Sequence, residues 1–126
     1  VEDHKKVKSF PPHQLGMLGE EIAQNYLIKQ RYKIVQKGFR LFRGEIDLIA
    51  YDKETLVFIE VKTRSPGALG FPEESVNKRK QNQIRKIAEG YLAVNDIDDV
   101  ECRFDVISLI FDEKGTYALT HYKDAF

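Results

Sequence analysis

The apolar residues of this chain change period as it proceeds, and each change marks an element. Over residues 13–30, Leu15, Leu18, Ile22, Ala23, Tyr26 and Leu27 recur at the spacing of one helix face, which predicts an amphipathic helix. Gly19 lies in the middle of that face, where the missing side chain lets the helix come close to its neighbour. Residues 32–42 predict a first strand, with Gly38 marking a bulge or bend. Residues 43–50 and 56–64 predict two more, joined by the turn Asp52-Lys53-Glu54-Thr55. Residues 75–95 return to helical spacing through Val76, Ile84, Ile87, Ala88, Tyr91 and Leu92. Residues 102–111 and 116–122 predict the last two strands. A helix between the third and fourth strands demands a crossover, and with it parallel pairing. The predicted fold is therefore α/β, a central mixed β-sheet flanked by helices in the order α-β-β-β-α-β-β. Residues 1–12, polar and ending in Pro11-Pro12, are expected to form a flexible N-terminal arm before a single domain over residues 13–126.

Within the central strands the pattern conflicts with the chemistry. Charged residues interrupt the runs Arg43-Gly44-Glu45-Ile46-Asp47-Leu48-Ile49-Ala50 and Leu56-Val57-Phe58-Ile59-Glu60-Val61-Lys62-Thr63-Arg64, where burial of a charge is expensive. A two-residue turn at Lys53-Glu54 sets Asp52 opposite Thr55, Asp47 opposite Glu60 and Glu45 opposite Lys62. Strict alternation then puts those four charged residues on one face, and Ile46, Leu48, Ala50, Val57, Ile59 and Val61 on the other. Opposed residues have Cβ atoms about 5 Å apart. Two carboxylates so placed repel unless a proton or a cation lies between them. A hard divalent cation, magnesium or manganese, suits the oxygen donors, and Lys62 reaches over the same spot.

Composition narrows the classes. With 42% hydrophobic and 32% charged residues, the 126-residue chain has the makings of a buried core. Twenty Lys and Arg against 20 Asp and Glu leave no net charge, so nucleic acid has to be drawn by local patches or by a partner. One cysteine excludes an intrachain disulfide, and Cys102 reads as a buried structural thiol. No apolar run approaches a membrane span and no signal peptide is visible, so a cytoplasmic protein without membrane contact is expected. His4, His13 and His121 have no metal-ligand spacing, and His121 reads as structural. Glu20 borders the apolar face of the first helix, either as a surface residue or leaning toward the carboxylate pair. Lys80 lies inside the apolar arc of the second helix, either snorkelling to water or pointing into a polar site.

The ordered set Leu18-Gly19-Glu20, Gly44-Glu45-Ile46-Asp47, Phe58-Ile59-Glu60-Val61-Lys62, Lys80-Gln81 and Arg103-Phe104-Asp105-Val106 resembles the YraN-like family of bacterial proteins. More broadly it resembles the restriction-endonuclease-like nuclease superfamily, whose mark is an acid on one strand and Glu-x-Lys on the next. The resemblance implies that Asp47 and Glu60 bind metal, that Lys62 is the catalytic lysine, and that Glu20 is the helical acid of the resolvase-like branch. Ile46 stands where the superfamily usually has proline, and Arg31-Tyr32 lie where relatives often carry glycine. The implied chemistry is magnesium- or manganese-dependent hydrolysis of DNA, branched or damaged, in the manner of Holliday-junction resolvases. Lys80, Gln81, Arg64, Arg43 and Arg40 then contact substrate, and Glu45 supports Lys62 by pairing with it or binds metal itself. A homodimer, or a protein partner that supplies DNA affinity, is in keeping with the neutral charge. The alternative is a catalytically silent nucleic-acid-binding or protein-interaction module on the same fold.

Overall fold

In the computed structural model, which describes residues 12–65 and 76–126, the predicted helices and strands occur in the predicted order. Helix α1 (Pro12–Lys29) is followed by β1 (Lys33–Leu41), β2 (Gly44–Asp52), β3 (Thr55–Arg64), helix α2 (Lys78–Val94), β4 (Cys102–Phe111) and β5 (Tyr117–Tyr122). The expected N-terminal arm lies outside the described residues except for Pro12, which opens α1 as proline at a first helical position readily does. The loop expected over residues 65–74 lies outside them as well, apart from Ser65. No helix of the described residues is long and apolar enough to cross a membrane.

The five strands form one sheet in the order β1-β2-β3-β4-β5. All neighbours are antiparallel except β3 and β4, which run parallel because α2 carries the chain back across the sheet. Both faces of the sheet are covered. One cluster gathers Ile49, Leu56, Phe58 and Val106 with Ile84, Ile87, Ala88 and Tyr91 of α2. The other gathers Leu48, Ala50, Val57, Ile59 and Ile107 with Ala23 and Leu27 of α1. Burial on two sides explains why β3 reads as a nearly continuous apolar run.

Local chemistry sets the ends of the elements. The last turn of α1 closes with Tyr32 N donating to Leu27 O and Arg31 N to Ile28 O, and Arg31 takes a left-handed φ of 69°. The expected two-residue turn between β2 and β3 is present, with Asp52 paired to Thr55. In β1 the register shifts between Ile34 and Gln36, which leaves Val35 outside the pairing, while Gly38 has a φ of 63°. At the end of the sheet near the start of β4, the buried Asp105 carboxylate accepts from Arg103 Nε at 2.9 Å, from Asp124 N at 3.0 Å and shares 2.7 Å with His121 Nε2. Arg103 also donates to Asp52 and to the Tyr32 hydroxyl, and His121 Nδ1 lies 3.0 Å from the Tyr26 hydroxyl. Burial alone would raise the Asp105 pKa; the bonds from His121 and Arg103 outweigh it and hold the group below its usual range. His121 is thus the structural histidine expected. Cys102, by contrast, is exposed and not buried, because its strand position faces outward at the first residue of β4.

Gly19 does what its place in the helix face predicts. A Cβ there would collide with the Oγ1 of Thr63 on β3, with Thr63 Cβ 3.2 Å away. Threonine is stiff about χ1, so the neighbour yields poorly. Gly19→Ala is expected to cost about 1–3 kcal/mol in urea unfolding, and Thr63→Ala in the same chain is expected to recover most of it.

Candidate functional site

The site forms where β2 and β3 part. Their pairing runs from Asp52↔Thr55 to Leu48↔Ile59 and stops there. Beyond it, side chains take over as acceptors. Val61 N donates to Asp47 Oδ2 at 2.8 Å, and Asp47 N donates to Glu60 Oε2 over 3.4 Å. The outer edges of both strands stay paired, β2 through Ile46↔Phe39 and Glu45↔Arg40, β3 through Glu60↔Val106 and Lys62↔Ser108. The fork is therefore held open from both sides, with two carboxylates in its crotch.

The fork also breaks the expected alternation. Ile46 does not share a face with Leu48 and Ala50. It packs with Ile49 in the cluster beneath α2, so the strand slips by one position at Asp47. Glu45 consequently does not face Lys62. Its carboxylate meets Arg40 Nε at 2.9 Å, across the β1–β2 hairpin. Lys62 instead lines a depression of about 530 Å³ with Asn77, Arg79, Lys80 and Gln83.

Burial dominates the electrostatics. Glu60 is 3% exposed, and its pKa is pushed up to about 8, first by desolvation and then by the charge of Asp47. Asp47 is raised too, by desolvation above all, although the Val61 amide and the charges of Lys62 and Lys80 oppose the rise. Glu20 on α1 is raised to about 7 by partial burial and by the charges of Asp47 and Glu45, and it lines a separate depression with Lys37 and Leu48. Lys80 points inward, as one of its two readings had it, with Nζ 4.0 Å from Glu60 Oε1. Asp47, Glu60, Lys62 and Lys80 thus converge. Gln81 is committed to the start of α2, donating to Val76 O at 3.0 Å. Arg43 is exposed at a hairpin tip and Arg64 ends β3. Gln83, which the helical pattern gave no reason to single out, lines the depression one turn after Lys80.

The donor set suits a hard divalent ion. Each carboxylate spends one oxygen on a backbone amide, which leaves Asp47 Oδ1 and Glu60 Oε1. Among the described residues no group of three His, Cys, Asp or Glu side chains is gathered tightly enough to enclose a metal. Two carboxylates completed by water and substrate phosphate is the pattern magnesium favours. At the first turn of α2, Lys78, Arg79 and Lys80 stand where the helix macrodipole disfavours cations and attracts anions. That placement costs helix stability and suits a phosphate.

The model of the uncharacterised protein family UPF0102 matches residues 19–109. A UPF0102 protein of Chlorobium phaeobacteroides strain DSM 266 is 46% identical over 123 residues, which cover 94% of this chain and 97% of the relative. A UPF0102 protein of Chlorobaculum tepidum is 46% identical over 120 residues, covering 91% and 93%. One of Alkaliphilus oremlandii is 45% identical over 115 residues, covering 90% and 97%.

The raised acids carry a pH signature. A carboxyl whose folded pKa exceeds its unfolded one contributes stability in full below the unfolded value, and the contribution is lost as pH rises through the folded value. For Glu60 that window runs from 4.5 to about 8. In chelator, the melting temperature is expected to fall from about pH 5 to about pH 8.5. Glu60→Gln is expected to flatten the slope, and excess magnesium to restore the wild-type melting temperature at the alkaline end. Thermal unfolding across that range checks both.

Proposed function

The chain belongs to the uncharacterised protein family UPF0102, and we propose that it is a metal-dependent endonuclease of the restriction-endonuclease-like superfamily that hydrolyses phosphodiester bonds in branched or damaged DNA. The observation that carries this reading is the desolvated pair of Asp47 and Glu60 at the fork, with Lys62 and Lys80 beside it. Two buried acids with raised pKa values, placed where two central strands part, are what a site tuned for chemistry carries.

Asp47 and Glu60 would hold magnesium or manganese, with Glu20 as a further acid acting through water. When bound, the ion polarises the phosphate and lowers the pKa of a water. Lys62 would orient the attacking water and offset the negative charge that grows on the phosphate. Lys80 balances Glu60 in the resting site and turns to the incoming phosphate. Arg40, Arg43 and Arg64 contact the backbone of the strand, and Gln81 acts by fixing the first turn of α2. One acid pair cuts one strand, so paired cuts require a homodimer or a second event. A protein partner that brings the enzyme to DNA would account for the absence of net charge. The setting is the bacterial cytoplasm.

A second reading has one observation in its favour. Lys80 Nζ already stands 4.0 Å from Glu60, an internal cation where an external one is needed. On that reading the protein is a binding module that does not cut.

Calorimetry with magnesium and manganese separates the two. Binding is expected in the wild type and lost in both Asp47→Asn and Glu60→Gln. Lys62→Ala is expected to keep the metal but to lose cleavage of a splayed or four-way DNA by on the order of a hundredfold or more. DNA binding that ignores metal and survives Asp47→Asn would replace the nuclease with the silent module.

A further inference from the structure

The β1–β2 hairpin ends in a tip that the site does not need for its chemistry. Leu41 pairs with Gly44, and Phe42 and Arg43 make the two-residue turn between them, with φ values of 51° and 59°. Such a turn ordinarily takes Asn-Gly, because side-chain residues are strained at positive φ. Here the strained pair is an aromatic and a cation. The Phe42 ring is 53% exposed, yet it is not loose.

Two glycines seat the tip on α2. A Cβ on Gly44 would come within 2.6 Å of Ile87 Cδ1. One on Gly90 would strike the Leu41 side chain and stand 3.3 Å from the Phe42 ring. Lys86 Nζ lies over one face of that ring, 4.9 Å from its centre, so a base would stack on the other face. Behind the tip, Arg40, Arg43, Lys80 and Gln83 border an open depression of about 570 Å³, with Glu45 as its one acid. Lys80 belongs to this depression and to the acid pair alike, so the surface from tip to fork is continuous.

We propose that Phe42 is a stacking platform for an unpaired nucleobase, and that the hairpin tip selects single-stranded or frayed nucleic acid for the site behind it. A fixed, half-exposed aromatic ring bordered by cations is what sequence-independent single-strand binding uses. Gly44 to Asp47 spans about 10 Å of strand, roughly three nucleotides at about 3.4 Å each, so a strand stacked on Phe42 reaches the acid pair within a few nucleotides. The inference rests on the nuclease reading only for what happens at the fork; stacking is measured without cleavage.

The chain has no tryptophan, so Phe42→Trp installs a single indole at the tip, which is excited selectively beyond tyrosine absorption. In chelator, a 15-nucleotide oligothymidylate is expected to quench that emission on binding. Phe42→Ala is expected to weaken binding of the same strand by about tenfold, as loss of one stacked base does, and to change binding of a blunt duplex less than twofold. Phe42→Tyr, which keeps a ring, is expected to bind as the wild type does. The oligouridylate of equal length tells whether RNA serves as well as DNA. An oligonucleotide that binds by anisotropy without quenching, and equally in Phe42→Ala, overturns the platform and leaves the nuclease reading intact. Quenching in a protein that never cuts with magnesium keeps the platform and removes the nuclease. No binding of any strand overturns the platform, as does a dimer that dissociates on Phe42→Ala, which would make the tip a contact between copies of this chain.

Discussion

Two amide groups that bond to carboxylates instead of to a facing strand define this molecule. Where Val61 N finds Asp47 and Asp47 N reaches toward Glu60, the central sheet opens without leaving either amide unpaired. The arrangement needs acids of those lengths at those two positions. It also needs β1 and β4 outside, since an unsupported fork would close or fray. Chemistry and fold are thus joined at one place: the groups that hold the strands apart are the groups whose charge has nowhere to go.

The rest of the chain is distributed around that tension. Helix α2 brings Lys78, Arg79, Lys80, Arg85 and Lys86 against Glu89 alone, while residues 96–101, beyond its other end, carry Asp96, Asp98, Asp99 and Glu101. A chain with no net charge is in this way strongly polarised along the helix. The Arg103–Asp105–His121 network ties β2, β4, β5 and the Tyr32 hydroxyl just before β1 to α1 with satisfied hydrogen bonds.

Much of this was legible in the sequence because it depends on local spacing. The turn at Lys53-Glu54 sets the β2–β3 register, and the long connection between β3 and β4 requires their parallel pairing. What was not legible depends on contacts that no period encodes. Alternation predicted Ile46 on the wrong face because the β2–β3 ladder ends at Leu48 and Asp47 turns its side chain to the Val61 amide. Glu45 was matched to Lys62 for the same reason, whereas the β1–β2 hairpin, turning at Phe42-Arg43 with no Asn or Gly to announce it, supplies Arg40. Cys102 sits at the outward start of a strand whose interior is buried, and composition alone made it look internal. Asp105 is bonded by Arg103 on its own strand, but its other partners, His121 on β5 and Asp124 beyond it, are brought in by the fold, and no period links them to it.

The parallel junction of β3 and β4 has a consequence in time. The meander from β1 to β3 closes through two tight turns and is quick to form, since its contacts are local. The pairing of β3 with β4 waits until the chain has built α2 and returned across the sheet. Until then Glu60 lies on an open edge in water, as an ordinary acid. Its burial, and the arrival of Lys80 beside it, belong to the same late docking step, so the site and the last cooperative closure of the domain are one event.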